Sequence, residues 1–333
     1  MLSPNRPVGS RPAGGARRGS PWTGLGTVIA KETADHLSSS RVVVIEAILF
    51  AGALLVVFYS ATTIRESIGQ SPFLYLRLLT LASEIIPVSF TFIVGLVIPI
   101  IAIALGFDAI NSEFNQRTLS RILAQPIYRD ALLLGKFLAR LLALTIALVS
   151  VWLFVLGLGL LRLGVLPGAE EVVRMLGFLV ATIAYGGVWL SLAFLFSVLF
   201  RSPATAALAA LGLWLLFALF WSLMVTRVVS TLIAGPQEGL FGPNVAYMQT
   251  EQIVERLSPT TLYNDTVLAL LQPTTRALGP VFVSQLRGAL LGAPLPASQS
   301  FLLIWPQFTG LIAATIVIFV IAYVVFQRQE IRA

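Results

Sequence analysis

Six stretches of the chain, at about 42–60, 85–107, 137–161, 175–200, 204–225 and 303–327, are apolar along almost their whole length. A helix needs roughly 20 such residues to cross a hydrocarbon layer about 30 Å thick. In that layer every backbone N–H and C=O must be satisfied within its own segment, so a run of this kind has few folds open to it besides a helix. The chain therefore reads as an all-α integral membrane protein with six transmembrane helices. Composition agrees: 57% of its 333 residues are hydrophobic and the mean hydropathy is +0.90, so a soluble fold of this size would lack polar cover.

An even number of spans puts both termini on one side of the membrane. With the termini in the cytoplasm, about 14 of the 22 Lys and Arg fall on that side in roughly 84 residues, against about 8 in roughly 117 residues outside. Cytoplasmic Lys and Arg excess is the rule for multi-pass proteins, which predicts both termini cytoplasmic in the cell membrane. The same distribution accounts for the net charge of +7. The basic residues flank apolar spans and are not interleaved with an aromatic surface, so nucleic acid is not expected as a partner.

Several chemistries are excluded. The chain has no cysteine, hence no disulfide, thiolate nucleophile or thiolate metal site, and its one histidine, His36, cannot form a histidine metal cluster. No G-x-x-x-x-G-K-[ST] phosphate loop occurs; "DALLLGKF" lacks the first glycine and the hydroxyl residue. In "EEVVR", Glu170, Glu171 and Arg174 imitate a metalloprotease helix with the wrong spacing and no histidines, and read more simply as an external interfacial charge cluster. The third to fifth spans carry almost no interior charge, so no proton relay is expected within them. No catalytic residue, cofactor site or metal site is assigned.

Residues 1–21, rich in Gly, Pro, Ser and Arg, are expected to be a disordered basic tail. Some forty residues precede the first apolar run, so the first span is expected to remain in the mature protein rather than act as a signal peptide. Residues 22–40 contain Leu25, Val28 and Ile29 beside Lys31, Glu32 and Asp35, the pattern of an amphipathic helix on the membrane surface, with an ordinary solvated lead-in helix as the alternative. The six-helix domain then occupies 41–327 and a short cytoplasmic tail 328–333. Between spans five and six, residues 226–302 read as an external cap whose helical spacing is broken by Pro259 and Pro273. Its segment "GPVFVSQLRGALLGAPLP" is too short and too charged to count as a crossing. Pro87 and Pro99 are candidates for kinks in the second span. Thr182/Gly186, Gly187/Ser191, Thr205/Ala209 and Ala206/Ala210 recur at four-residue spacing and suit close helix packing.

One stretch breaks the apolar pattern. Residues 108–140 carry eight charges in a chain that is 11% charged. Residues 109–124 lack Gly and Pro, place Glu113 one turn before Arg117, and give Ile110, Phe114 and Ile122 a common edge, which predicts a short helix. Pro126 disfavours helix at Gln125, and Asp130 is placed to cap the helix leading into span three. A solvated connector obeying the positive-inside rule explains the charges alone, but not the order of residues.

That order, Glu113, Thr118, Leu119, Pro126, Arg129, Leu134, Gly135, Lys136, resembles the loop between spans two and three of the ABC-2 type permeases, membrane subunits of ATP-binding cassette transporters. Lys31 and Glu32 match a common start of the lead-in helix, and the six-span layout with its large last external loop extends the resemblance over most of 22–327. Arg117 departs from the usual glycine. "SPTTLYND", with Ser258, Pro259 and Tyr263, loosely resembles a segment before the last span. The resemblance implies a cytoplasmic coupling helix within 108–136 that docks on a separate ATPase subunit through Glu113, Arg117 and Arg121, with Phe114 and Leu119 as apolar anchors and Thr118 between them. Arg129 and Lys136 are also placed to meet lipid phosphates. It further implies a dimer of permease copies, an ATPase partner that binds ATP and Mg while this chain binds neither, and export as the direction. The alternatives are an ion-driven carrier, against which the apolar third to fifth spans count, and an intramembrane enzyme, for which the chain lacks the chemistry.

Overall fold

The computed structural model describes residues 24–66, 72–116, 129–239, 242–278 and 294–329. In chain order its helices are α1 (Leu25–Leu37), α2 (Ser40–Glu66), α3 (Leu74–Thr80), α4 (Phe90–Gly106), α5 (Asn111–Asn115), α6 (Arg129–Leu163), α7 (Ala169–Leu199), α8 (Pro203–Leu215), a π-helical continuation Leu216–Val225, α9 (Thr226–Ala234), α10 (Val245–Glu255), α11 (Pro259–Leu271) and α12 (Ala297–Arg328). Two-residue strands β1 (Glu238–Gly239) and β2 (Gly242–Pro243) pair antiparallel. Among the described residues six helical stretches are long and apolar enough to cross a membrane: Val42–Arg65, Phe90–Asn115, Asp130–Leu163, Ala169–Leu199, Pro203–Ala234 and Ala297–Arg328. Each contains or overlaps one of the six apolar runs.

The fourth span, α7, is the most enclosed, and α4, α6, α11 and α12 pack around it. Small residues make that closeness possible. A Cβ on Gly106 of α4 would stand 2.8 Å from Ala193 Cβ and 3.1 Å from the Leu190 carbonyl of α7, and one on Gly186 would stand 2.7 Å from Leu144 of α6. Ala206 and Ala210 are fully buried, whereas Thr205 of the neighbouring pair is exposed. Spans five and six leave most of their surface uncovered.

Several sequence expectations shift. Pro87 lies before α4, whose N-cap is Ser89, while Pro99 is inside the helix. Pro259 does not break a helix: it is the first residue of α11, where its missing N–H costs nothing, and the Ser258 hydroxyl accepts from Thr261 N. The fifth span continues through the π segment to Ala234, so the connection to the sixth span starts later than 226. Within that connection α11 packs back against α7 and α12: Tyr263 stacks on Tyr185 with ring centroids 4.3 Å apart, and its hydroxyl lies 3.1 Å from Thr182 Oγ1.

"EEVVR" is not a surface cluster. Glu171 accepts from Gly168 N at 2.8 Å and from Tyr75 N at 2.8 Å, so one carboxylate serves the starts of both α7 and α3. Arg174 is fully buried and donates to the Leu270 carbonyl at 2.9 Å, Ser300 Oγ at 3.0 Å, the Leu295 carbonyl and Glu170. It joins α7 to α11 and α12, contacts across about a hundred residues that no local pattern announces.

Candidate functional site

The charged stretch begins where α4 ends. After Gly106 the chain turns through Phe107–Ile110 into α5, and the backbone N–H groups of Ile110 and Asn111 both donate to Ser197 Oγ on α7, at 2.9 and 3.3 Å. Asn111 Nδ2 bonds back to the Phe107 carbonyl at 3.0 Å, and Asn115 Nδ2 reaches the Arg201 carbonyl at 3.0 Å. Ala109 and Ile110 are buried, and Phe114 packs on the core's edge. The start of the elbow is thus fixed to the end of span four. Phe114 anchors it to its own bundle.

Beside it stands a cluster of buried charges. The 35 residues of α6 make a helix about 52 Å long, more than a bilayer core requires, so its first turns can project beyond the hydrocarbon. Lys136, on those turns, is 3% exposed and places Nζ 2.8 Å from Glu32 of α1 and 2.6 Å from Glu113 of α5. One turn on, Arg140 is 4% exposed. It donates to the Leu105 carbonyl at 2.9 Å, the Lys136 carbonyl at 3.0 Å and Glu32 at 3.4 Å. Leu105 belongs to the last turn of α4, whose carbonyls have no helical partner and carry the negative end of the helix dipole. Burial pushes the Glu32 carboxyl upward, but Lys136 and Arg140 outweigh it and hold it below the usual range. Burial, reinforced by Arg140, depresses His36 to about 4. The consecutive α5 and α6 and the distant α1 thus meet at two cations of α6.

Gly135 explains how α1 gets close enough. A Cβ there would stand 2.8 Å from Val28 Cγ1, so glycine admits α1 and the adjacent lysine binds it. The ends of other spans on the same side of the bundle tie in nearby: Asp130 of α6 accepts from Tyr323 at 3.0 Å and from Gln327, both on α12, and Gln329 donates to the Val198 carbonyl at 2.8 Å.

The expected residues distribute as follows. Glu32, Glu113, Gly135 and Lys136 come together; Lys136 is spent on two carboxylates and does not face lipid. Lys31 is exposed next to them. Arg129 opens α6, and Asp130 lies within that helix with its carboxylate turned to α12 rather than capping it. Arg117, Thr118, Leu119, Arg121 and Pro126 lie outside the described residues, as does the tail 1–21. Arg140 was missed by sequence reasoning, although its spacing of four from Lys136 puts both cations on one helical face.

Residues 26–331 match the model of the ABC-2 family transporter proteins. The chain belongs to this family. It is 29% identical over 235 residues to NosY of Stutzerimonas stutzeri, a probable ABC transporter permease protein, covering 69% of this chain and 75% of that one. It is also 34% identical over 147 residues to the protein of the same description from Pseudomonas aeruginosa, covering 42% of this chain and 51% of that one. The chain is therefore an ABC transporter permease subunit, a multi-pass membrane protein that carries no nucleotide-binding domain, and membership implies an ATPase partner. In such a permease, work must enter from outside the chain, and the cluster lies where the elbow joins three spans and α1.

Proposed function

We propose that this permease is the membrane half of an ATP-driven exporter, a dimer with two ATPase subunits, in which the elbow after α4 is the cytoplasmic coupling element. Both termini then face the cytosol, and α1 lies along the cytoplasmic surface. ATP binding closes the ATPases and displaces the elbow, and the displacement biases the spans between two states. The observation that supports this is the Glu32–Lys136–Glu113 bridge with Arg140 behind it. A rigid joint between the elbow, α1 and span three passes a push on rather than absorbing it. Arg117, Arg121, Thr118 and Leu119 are assigned to the ATPase contact, the charges setting register and the leucine supplying packing. Phe114 and Glu113 hold the elbow in place. ATP and Mg bind on the partner chain.

The test is co-purification of the ATPase with Leu119→Asp and Arg121→Glu variants. Loss of the complex with an intact permease fold is the expected result. Unchanged assembly and unchanged transport-coupled ATP hydrolysis would overturn the docking assignment.

A further inference from the structure

Span five changes helical register part-way along. After α8 (Pro203–Leu215) the ten residues Leu216–Val225 run as a π-helix before α9 (Thr226–Ala234) resumes the α form. Proteins use the π form mostly as single turns, often at functional sites, and this run is longer. Nothing local imposes it: the segment contains no glycine or proline, and none of its residues is buried. One side chain ties it down. The Trp221 indole donates to the Val254 carbonyl, in the last turn of α10, at 3.0 Å, while the Trp221 carbonyl accepts from Thr226 N, five residues on. Phe217 stands 4.6 Å from Trp221 and 6.2 Å from Trp189 of α7, centroid to centroid, so aromatic packing links this tie to the most enclosed span.

Beyond the π run, the packing of α9 leaves polar groups unsatisfied. Thr226 and Ser230, one turn apart, are 0% exposed on a helix that packs against α10, and neither hydroxyl has a hydrogen-bond partner among the described residues. The exposed Thr231, by contrast, bonds the Arg227 carbonyl at 2.8 Å. A buried polar group without a partner costs its desolvation. In this register, one tryptophan bond holds two dry hydroxyls against α10.

We propose that span five is a register switch latched by Trp221. In the second register the run is α-helical, the Trp221–Val254 bond is broken, and α9 has turned so that Thr226 and Ser230 leave the face against α10. Replacing i→i+5 by i→i+4 hydrogen bonds narrows a helix, so the same ten residues reach further along the axis and turn further about it. A change within the run therefore moves and rotates everything after it. The indole favours the observed register and the hydroxyls disfavour it, so the second register is populated as a minority. The switch goes beyond the coupling role and requires no ATPase.

The chain has no cysteine, so spin labels on Leu208→Cys of α8 and Leu232→Cys of α9, at positions 71% and 79% exposed, bracket the run. Double electron–electron resonance on the full-length permease in nanodiscs should give two discrete distances, the longer one in the minority. Trp221→Phe, which keeps an aromatic ring and removes the donor, should raise the longer fraction roughly threefold, the worth of one interhelical hydrogen bond in a membrane. Thr226→Val with Ser230→Ala, which removes the unpaired hydroxyls, should lower it by a similar factor. A merely loosened helix would not give opposite shifts. A single distance in all three proteins, a broadened one, or both variants moving the same way would overturn the proposal. Thermal unfolding checks that the variants fold; if Trp221→Phe does not, the hydroxyl variant alone decides, and an unchanged longer fraction in it overturns the proposal.

Discussion

Replacing Lys136 with methionine keeps the length of the side chain and removes its charge. The ammonium lies within 2.8 Å of Glu32 and 2.6 Å of Glu113 and is 3% exposed, so the variant leaves two carboxylates facing each other with little water. Removing one partner of a buried ion pair costs about 3–5 kcal/mol, because the remaining charge is uncompensated. Arg140, 3.4 Å from Glu32, offsets part of the cost on that side. Both carboxylates still lose the ammonium that bridges them, so a loss of about 3 kcal/mol is predicted. Reversible unfolding of the purified permease in mixed micelles measures it. Adding Glu113→Gln to Lys136→Met should return part of the loss, since the second change removes the stranded charge, and the double-mutant cycle should give a coupling of about 1 kcal/mol or more. A loss under about 1 kcal/mol for Lys136→Met is what an exposed surface pair gives, and would refute the view that this bridge is a desolvated joint.

Three further outcomes follow from the same geometry. Gly135→Leu should lift α1 from α6, because a Cβ there already stands 2.8 Å from Val28; faster hydrogen exchange confined to 25–37 would report it, and unchanged protection would count against the packing. Arg174→Leu strands the carbonyls of Leu270 and Leu295, so a loss of about 3 kcal/mol or more and early proteolysis within 259–271 are expected, against none if the residue were an interfacial charge. His36 is held at about 4 against an ordinary 6.5, so between those values the unfolded chain binds a proton that the folded chain refuses. Stability should therefore fall as pH drops from about 6.5 toward 4, more steeply than in His36→Gln; Glu32, with a carboxyl below its ordinary 4.5, adds its own loss only below that value, and parallel curves would contradict the assignment.

The spans were legible because the solvent dictates them: a run such as 204–225 has no polar group with which to build anything but a membrane helix. The elbow was legible as a place, since its charges interrupt that pattern. Its contacts were not. Lys136 meets Glu32 across 104 residues, and pairing at such distance leaves no local trace. Arg174 illustrates the same limit, a charge at a span's end that reads as interfacial until α11 folds back over it. Pro259 was read as breaking the helical spacing when, with Ser258, it starts a helix, because helix breaks and helix starts use the same residues. The ten-residue π segment of span five has no sequence signature to find. Gly135 and Lys136 matched the family pattern, and only the packing of Val28 shows why a glycine must precede that lysine.

Thiol labelling tests the central claim most directly, because the chain has no cysteine of its own and Gln116, just past α5, is exposed. A Gln116→Cys permease should react with a membrane-impermeant maleimide in inverted vesicles and stay unlabelled in intact cells. Labelling from outside intact cells would put the elbow on the wrong face of the membrane for any cytosolic ATPase, and with it the whole account of how this chain is driven.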